Sequence, residues 1–445
     1  MNHQLVDVRH ELDAVRARVE ALAAHRGARV TEFCRKVREV VIIASSSRGG
    51  SSVFSETLRA SPDLLHLQAE LNPILTLAGL HPLDIGGQDD HIPLGTPFKQ
   101  DVLDRELALD AGYRPEGPVD LAQWATDLTW RWTIQWPQHT WQHATVRSWL
   151  EAAWHTVCGP RFSTESLPSL ALERVHLEVI RQARAQHEAV HPRMWDLDAG
   201  AVNQALPGLP SPAAPSGVVV EEPPFVPVGP WARATESDLT KPFVVKTPSN
   251  AYRLPFLRSV FPTARFRVLH LTRNPAAAIN GLVDGWNYHG FHSHPVTPAL
   301  SIPGYAENRA GDARFWKYDL FPGWRAVANQ PLVHVAAHQW VAAHSATLRF
   351  IDGHADTLRV RFEDVVGRPD VRRATFHRIA KWLNIPIHPR FDRVIDEPLP
   401  PVMATARPRA RRWFARADAL APALKLPQVQ RMASRLEYHD PSTWV

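Results

Sequence analysis

The stretch VIIASSSRGGSSVFSETLRASPDLLHLQAE, residues 41–70, decides how this chain is read. Taken from Val37, the run to Ala44 is β-branched without polar alternation, which suits a strand covered on both faces in a parallel sheet. A small, polar, glycine-containing loop follows, and the pattern predicts a helix from Ser52 to about Ala60, stopping before Pro62. A strand that breaks into such a loop and restarts as a helix aims unsatisfied N–H groups and the positive end of the helix dipole at one point, where an anion belongs. The N–H groups of Arg48, Gly49, Gly50, Ser51 and Ser52 are expected to face that point, with the hydroxyls of Ser51 and Ser52 adding donors. The cation, Arg48, precedes the glycines. A triphosphate loop of the Gly-Lys-Ser/Thr type would carry lysine after them and a hydroxyl for magnesium.

A second anion signal is RVLHLTRNPAAAINGL, residues 267–282. Arg273 falls at the C-terminal end of a predicted strand, and Pro275 opens a helix as a first-turn proline does. Ligands of open α/β sheets collect outside the carboxyl ends of the strands, so Arg48 and Arg273 are expected on one rim. Two anion sites suit a nucleotide with phosphates at both ends of its ribose.

These segments resemble the sulfotransferases that use 3′-phosphoadenosine 5′-phosphosulfate (PAPS). SSRGGSS (46–52) is similar to that family's 5′-phosphosulfate loop, and HLTRNPAAAING (270–281) to its 3′-phosphate segment. VVKTPSNAYRLPFLRSVFPTARF (244–266) resembles the lysine-bearing strand and helix between them, and RVRFEDVVGRPD (359–370) a later segment. The resemblance spans about 150 of the 445 residues, in the family's order. It implies an α/β three-layer sandwich with a mostly parallel central sheet, P-loop NTPase-like, and PAPS as co-substrate with no metal. Arg48 would hold the phosphosulfate, Lys246 would stabilise the bridging oxygen as charge builds there, and Glu70 would be the base, with His66 as its understudy. Arg273 would hold the 3′-phosphate, with Asn280 or the Gly281 N–H replacing the serine that the family usually has at position 281. Phe362 stands where a tyrosine is usual. Glu363 and Asp364 are expected to anchor loop backbone. Arg407, Arg411 and Arg412, in the basic stretch 404–418, are candidates to close over the nucleotide.

The remaining sequence sets the frame. Lys and Arg number 50 against 45 Asp and Glu, spread along the chain, which is no nucleic-acid footprint. Two cysteines, Cys34 and Cys158, leave no disulfide framework, and with no signal-peptide core or long apolar run a cytoplasmic protein is expected. Leu5, Val8, Leu12, Val15, Val19 and Leu22 line one helical stripe, packing on the parent domain or, alternatively, on a second copy as a homodimer. The expected organisation is an amphipathic helix within 1–36, an α/β core from 37–80 and 241–445, and a helical, proline-rich insertion at 81–240 that binds the acceptor. The insertion holds nine of the sixteen tryptophans, and core packing is their first explanation. His289, His292 and His294 cluster in DGWNYHGFHSHP (284–295) without completing a zinc pattern. Trp286, Tyr288 and Phe291 there are expected as apolar walls of an acceptor loop.

The function expected is therefore sulfuryl transfer from PAPS to a hydroxyl of a small molecule, lipid or carbohydrate. An ATP-dependent kinase and a non-catalytic nucleotide-binding relative are the alternatives.

Overall fold

The strand read from residue 37 runs from Glu39 to Ala44 (β1) and lies deep in a seven-stranded sheet. The computed structural model describes residues 2–26, 30–81, 88–159, 169–354, 356–399 and 401–444. The other sheet strands are β2 (Leu65–Leu67), β3 (Ala111–Tyr113), β4 (Ala232–Arg233), β5 (Phe243–Lys246), β6 (Arg265–Thr272) and, after a two-strand hairpin of β7 (His294–Pro295) and β8 (Phe315–Trp316), β9 (Thr357–Arg361). The spatial order is β4-β3-β2-β5-β1-β6-β9. The five strands from β2 to β9 are mutually parallel, and β3 and β4 continue the sheet antiparallel. The expected mostly parallel α/β sheet is observed.

Alternation along the strands feeds two cores. Val40, Ile42 and Ala44 join Phe243, Val245 and Val268 against one helical layer, which includes Leu75, Leu107 and Leu257. Val41, Ile43, Val244 and Leu269 face Phe54, Leu58, Phe376 and Ile379 on the other side. Both faces are thus covered, as the apolar run of β1 requires.

Two predicted elements end differently. The strand at 357 stops at Arg361, and Phe362–Val366 form a short helix whose first turn holds Glu363 and Asp364. Acidic groups at a helix start complement its dipole, so the chain bends there. The helix of the lysine-bearing segment 244–266 is split at Arg253 into a 3₁₀ turn, Pro248–Tyr252, and a helix, Leu254–Val260, with a proline in the first turn of each.

The N-terminal helix, Asn2–Ala23, is used inside the chain. Leu12, Val15 and Val19 are buried against Leu77, Val102, Trp130 and Ile134, so the stripe meets its own domain and leaves those side chains no surface for a second copy. The Leu5 side chain lies outside the described residues.

The stretch between the two halves of the sheet does more than insert helices, because β3 and β4 belong to it. Its helices Leu121–Gln135, His143–Cys158 and Ser169–Gln186 close on a core of Trp124, Trp132, Trp141, Trp149, Trp154 and Trp195. Trp132 meets Trp141 edge-on at 5.0 Å between ring centroids, a favoured aromatic geometry. A buried ionic cluster ties this layer to the sheet edge: Arg131 pairs with Asp110 at 2.9 Å and with Glu221 at 3.4 Å, and Arg26 pairs with Glu106 at 3.3 Å.

Candidate functional site

The carboxyl ends of β1, β5 and β6 open into a cavity of about 450 Å³. Its floor is the loop after β1. Arg48 there has φ 59° and Gly50 φ 93°, and the helix Ser51–Leu58 starts directly behind them. Glycine at 50 serves two needs, the left-handed backbone and a close neighbour, since a Cβ there would fall 2.2 Å from the Phe362 ring. The N–H groups of Ser51 and Ser52 belong to the first turn and have no carbonyl one turn back. The Gly49 N–H does not point into the cavity as expected: it closes a turn onto the Ser46 carbonyl at 3.0 Å.

Arg273, at the end of β6, donates from Nη1 to the Arg48 carbonyl at 3.0 Å, so the two arginines sit on one rim. Burial lowers the Arg273 pKa to about 10, and Arg48 and Arg412 push the same way against Glu363. Its guanidinium lies 4.8 Å over the Phe362 ring, which explains an aromatic without a hydroxyl at that place. Arg48 turns to the segment after residue 399, donating to the Met403 carbonyl at 2.7 Å and to Thr405 Oγ1 at 3.5 Å.

Lys246 ends β5 and donates to Ser52 Oγ at 2.9 Å and to the Glu70 carboxylate. Glu70 follows β2 on a loop fixed by the Leu71 N–H on Thr247 Oγ1 at 2.8 Å and by Arg59 on the Gln68 carbonyl at 2.9 Å. His66 is not beside it. It lies inside β2, fully buried, with its pKa well below the usual range through burial and the charges of Arg59 and Arg114. Strand alternation turns His66 away from the cavity.

Asn280 and Gly281 border the cavity on the helix Pro275–Trp286. The Asn280 amide is engaged: its Oδ1 accepts from Arg416 at 2.6 Å, and its Nδ2 donates to Asp284 at 3.4 Å. It therefore does not stand in for the missing hydroxyl. A Cβ at 281 would lie 3.2 Å from the Arg48 Cβ, so the Arg48 stem packs where a serine side chain would begin.

Of the basic C-terminal candidates, Arg412 borders the cavity and pairs with Asp284. Arg411 instead donates to the Ser442 carbonyl at 2.9 Å, and Arg407 is exposed. Arg416, which sequence reading did not single out, also pairs with Asp284, at 2.8 Å. Glu363 accepts from the Asn274 N–H at 2.9 Å and from Tyr438 at 2.8 Å, an anchoring arrangement.

The loop 284–295 contributes one wall. Phe291 borders the cavity, with the Arg48 guanidinium 5.5 Å over its ring. Trp286 does not: it is fully buried, edge-on to Tyr305 and Trp316, with its indole N–H on Gln339 at 2.9 Å. Tyr288 stacks on His289 outside the cavity lining. The three histidines diverge. His289 meets Arg309 at 3.1 Å, His292 meets Asp312 at 3.1 Å, and His294 lies beside Asp90 and His81. Asp90 is already committed to Arg253 at 2.7 Å and to Ser249 at 2.6 Å, and its pKa is held far below the usual carboxylate range.

Three acidic residues that border the cavity escaped sequence reading: Glu221, which pairs with Arg131, and Asp319 and Glu222. Burial raises the Asp319 pKa to about 6, against the hydrogen bond it accepts from Tyr252 at 2.6 Å. Glu222, from the proline-rich stretch, is raised to about 7 by burial and by the nearby Glu70. Pro73, Pro223, Pro224 and Val226 make the adjoining surface apolar. The cavity thus has a cationic rim of Arg48, Lys246, Arg273 and Arg412, facing an apolar wall that carries carboxyls.

No family model matches the chain, and no curated protein matches it. Among solved structures it is similar to the sulfotransferase domain from the curacin biosynthetic pathway, at 14% identity, covering 91% of this chain and 99% of that one, with a TM-score of 0.35. It is similar to the sulfotransferase domain of the Synechococcus PCC 7002 olefin synthase, at 14% identity over 92% and 97%, with a TM-score of 0.32. A Mycobacterium avium sulfotransferase gives 12% identity over 91% and 77%, with a TM-score of 0.33. All three are sulfotransferases. At such TM-scores the likeness carries no argument about chemistry. No described helix is long and apolar enough to cross a membrane.

Proposed function

We propose that this protein transfers a sulfuryl group from PAPS to a hydroxyl of a small-molecule, lipid or carbohydrate acceptor, on a P-loop-like scaffold. The observation that carries this reading is the contact of Arg273 with the Arg48 carbonyl at 3.0 Å, which brings two guanidiniums from distant parts of the chain to one rim. Such a pair suits a ligand with anionic groups at two ends. The residues present fit it: Arg48 and Arg273, both on the cavity, bury Nε atoms without a protein partner, and the first-turn residues Ser51 and Ser52 line the same cavity.

In this reading Arg48 and the loop hold the 5′-phosphosulfate, and Arg273 holds the 3′-phosphate. PAPS supplies the activated sulfuryl group. Lys246 exchanges its contact with Glu70 for the oxygen that bridges sulfur and phosphorus and offsets the charge that builds there. Fixed donors aimed at developing charge in a water-poor site supply most of such a barrier reduction. A cavity carboxylate takes the acceptor's proton.

Isothermal titration of the full chain with adenosine 3′,5′-bisphosphate and with ATP–Mg²⁺ tests the reading. The bisphosphate should bind more tightly, and a preference for ATP–Mg²⁺ would overturn the assignment in favour of a kinase. Transfer of labelled sulfate from PAPS to any member of an acceptor panel excludes the non-catalytic alternative.

A further inference from the structure

We infer that Glu222, delivered to the cavity by the proline-rich stretch, is the base that takes the acceptor's proton, while Glu70 serves as the resting partner of Lys246. The inference rests on the sulfuryl-transfer reading and assigns a role within that same site.

The position of Glu222 is built rather than incidental. The Glu221 N–H donates to the Ile134 carbonyl at 3.3 Å, and the Glu221 carboxylate pairs with Arg131 at 3.4 Å. Arg131 is itself gripped by Asp110 at 2.9 Å. Pro223 and Pro224 follow at once, restricting the backbone on the other side. Glu222 is thereby held at the apolar wall, on the cavity that also receives Lys246 and Glu70.

The two carboxyls differ in what they touch. In the resting site Glu70 accepts from the Lys246 ammonium at one carboxylate oxygen, Oε1. Among the described residues Glu222 forms no ion pair. The Ser293 hydroxyl lies beside it, and the charged or titratable groups acting on it are Glu70, Asp90 and Arg253, with the Tyr318 phenol next to it. Ser293 is positioned in turn by the Tyr318 N–H at 2.9 Å. A desolvated carboxyl beside a second carboxyl, with Arg253 opposing only as the smallest cause, is a stronger base, and its pKa of about 7 is near the optimum for proton transfer at neutral pH.

The step balances. The acceptor O–H gives its proton to the Glu222 carboxylate as the acceptor oxygen bonds to sulfur. The bond from sulfur to the bridging oxygen breaks, and its electron pair stays on the 5′-phosphate, opposite Lys246. Sulfate ester, adenosine 3′,5′-bisphosphate and protonated Glu222 result, and Glu222 then releases its proton to solvent.

Glu222→Gln is the test, with three readouts on the full chain. Bisphosphate affinity should stay within about threefold of wild type. PAPS consumption over a panel of phenols and aliphatic alcohols should fall about 10²-fold, the scale of a lost general base, and least for the most acidic phenols. Thermal unfolding needs no acceptor. A carboxyl whose folded pKa is raised above its unfolded value binds more protons when folded, so it destabilises above that folded value and is neutral below the unfolded one. Glu222→Gln should therefore melt higher than wild type at pH 8, the gap closing as pH falls from about 7 toward 4.5. A variant with the wild-type melting profile, or with wild-type turnover, overturns the assignment. If wild type itself does not bind the bisphosphate, the sulfuryl-transfer reading falls and takes this inference with it.

Discussion

The anion rim and the tryptophan layer are both largely buried, yet opposite principles hold them. In the layer, ring packs on ring: Trp132 meets Trp141, Trp149 and Trp195, and Trp124 donates its indole N–H to the Val228 carbonyl at 2.6 Å. At the rim, Arg48, Arg273 and Arg412 bring like charges together, and burial, with Arg48 and Arg412 pushing the same way, depresses the Arg273 pKa. The first arrangement lowers the energy of the chain by itself. In the sulfuryl-transfer reading proposed above, the second is completed by an anion and serves binding at the expense of stability.

That contrast can be broken by truncation on either side. Trp132→Ala should produce the largest effect, a loss of about 3–5 kcal/mol of stability in chemical denaturation, because a large buried side chain leaves a cavity. A loss under about 1 kcal/mol would mean that the layer is loosely packed. Lys246→Ala should leave the melting temperature near wild type and weaken the bisphosphate about 10-fold, since that product carries the charge on the oxygen Lys246 contacts. Its PAPS turnover should fall about 10²- to 10³-fold, as expected for a donor aimed at developing charge. Equal losses in affinity and turnover would reassign Lys246 to ground-state binding.

Arg273→Ala comes next. A hydrogen bond to a charged group contributes about 1.5–3 kcal/mol, so bisphosphate affinity should fall roughly 10- to 100-fold. Its melting temperature should hold or rise as like-charge crowding is relieved, and a marked drop in thermal unfolding would contradict the contrast drawn here. Gly281→Ser is the smallest and sharpest case. It restores a hydroxyl, but its Cβ would stand 3.2 Å from the Arg48 Cβ. Crowding against a flexible stem should cost under about 1 kcal/mol of binding in titration, and tighter binding would show that Arg48 yields freely.

What the sequence disclosed follows the same division. Arg48 and Arg273 were legible because each lies just past the carboxyl end of an apolar strand, a pattern that sheet burial imposes, and Lys246 through the family resemblance of its segment. Strands β2 to β4 were not, since two or three residues establish no period, and pairing with neighbours decides them instead. The use of Leu12, Val15 and Val19 within the chain also lay beyond reach, because one apolar stripe serves either partner equally. Glu222 left no local signal: adjacent Glu221 turns to Arg131, and only the fold separates one glutamate from the other. Arg416 was equally silent, as its role depends on Asn280 and Asp284, far away in sequence.

Met403 joins two distant parts of the molecule through one residue. Its N–H donates to Asp196 at 2.7 Å, in the stretch that carries the tryptophans, while its carbonyl accepts from Arg48 at 2.7 Å. The Arg48 Nη1 proton that serves this carbonyl cannot also serve an anion in the loop. An anion that took this proton would release the tether at 403, whereas one held by the unpartnered Arg48 Nε would leave the two parts joined.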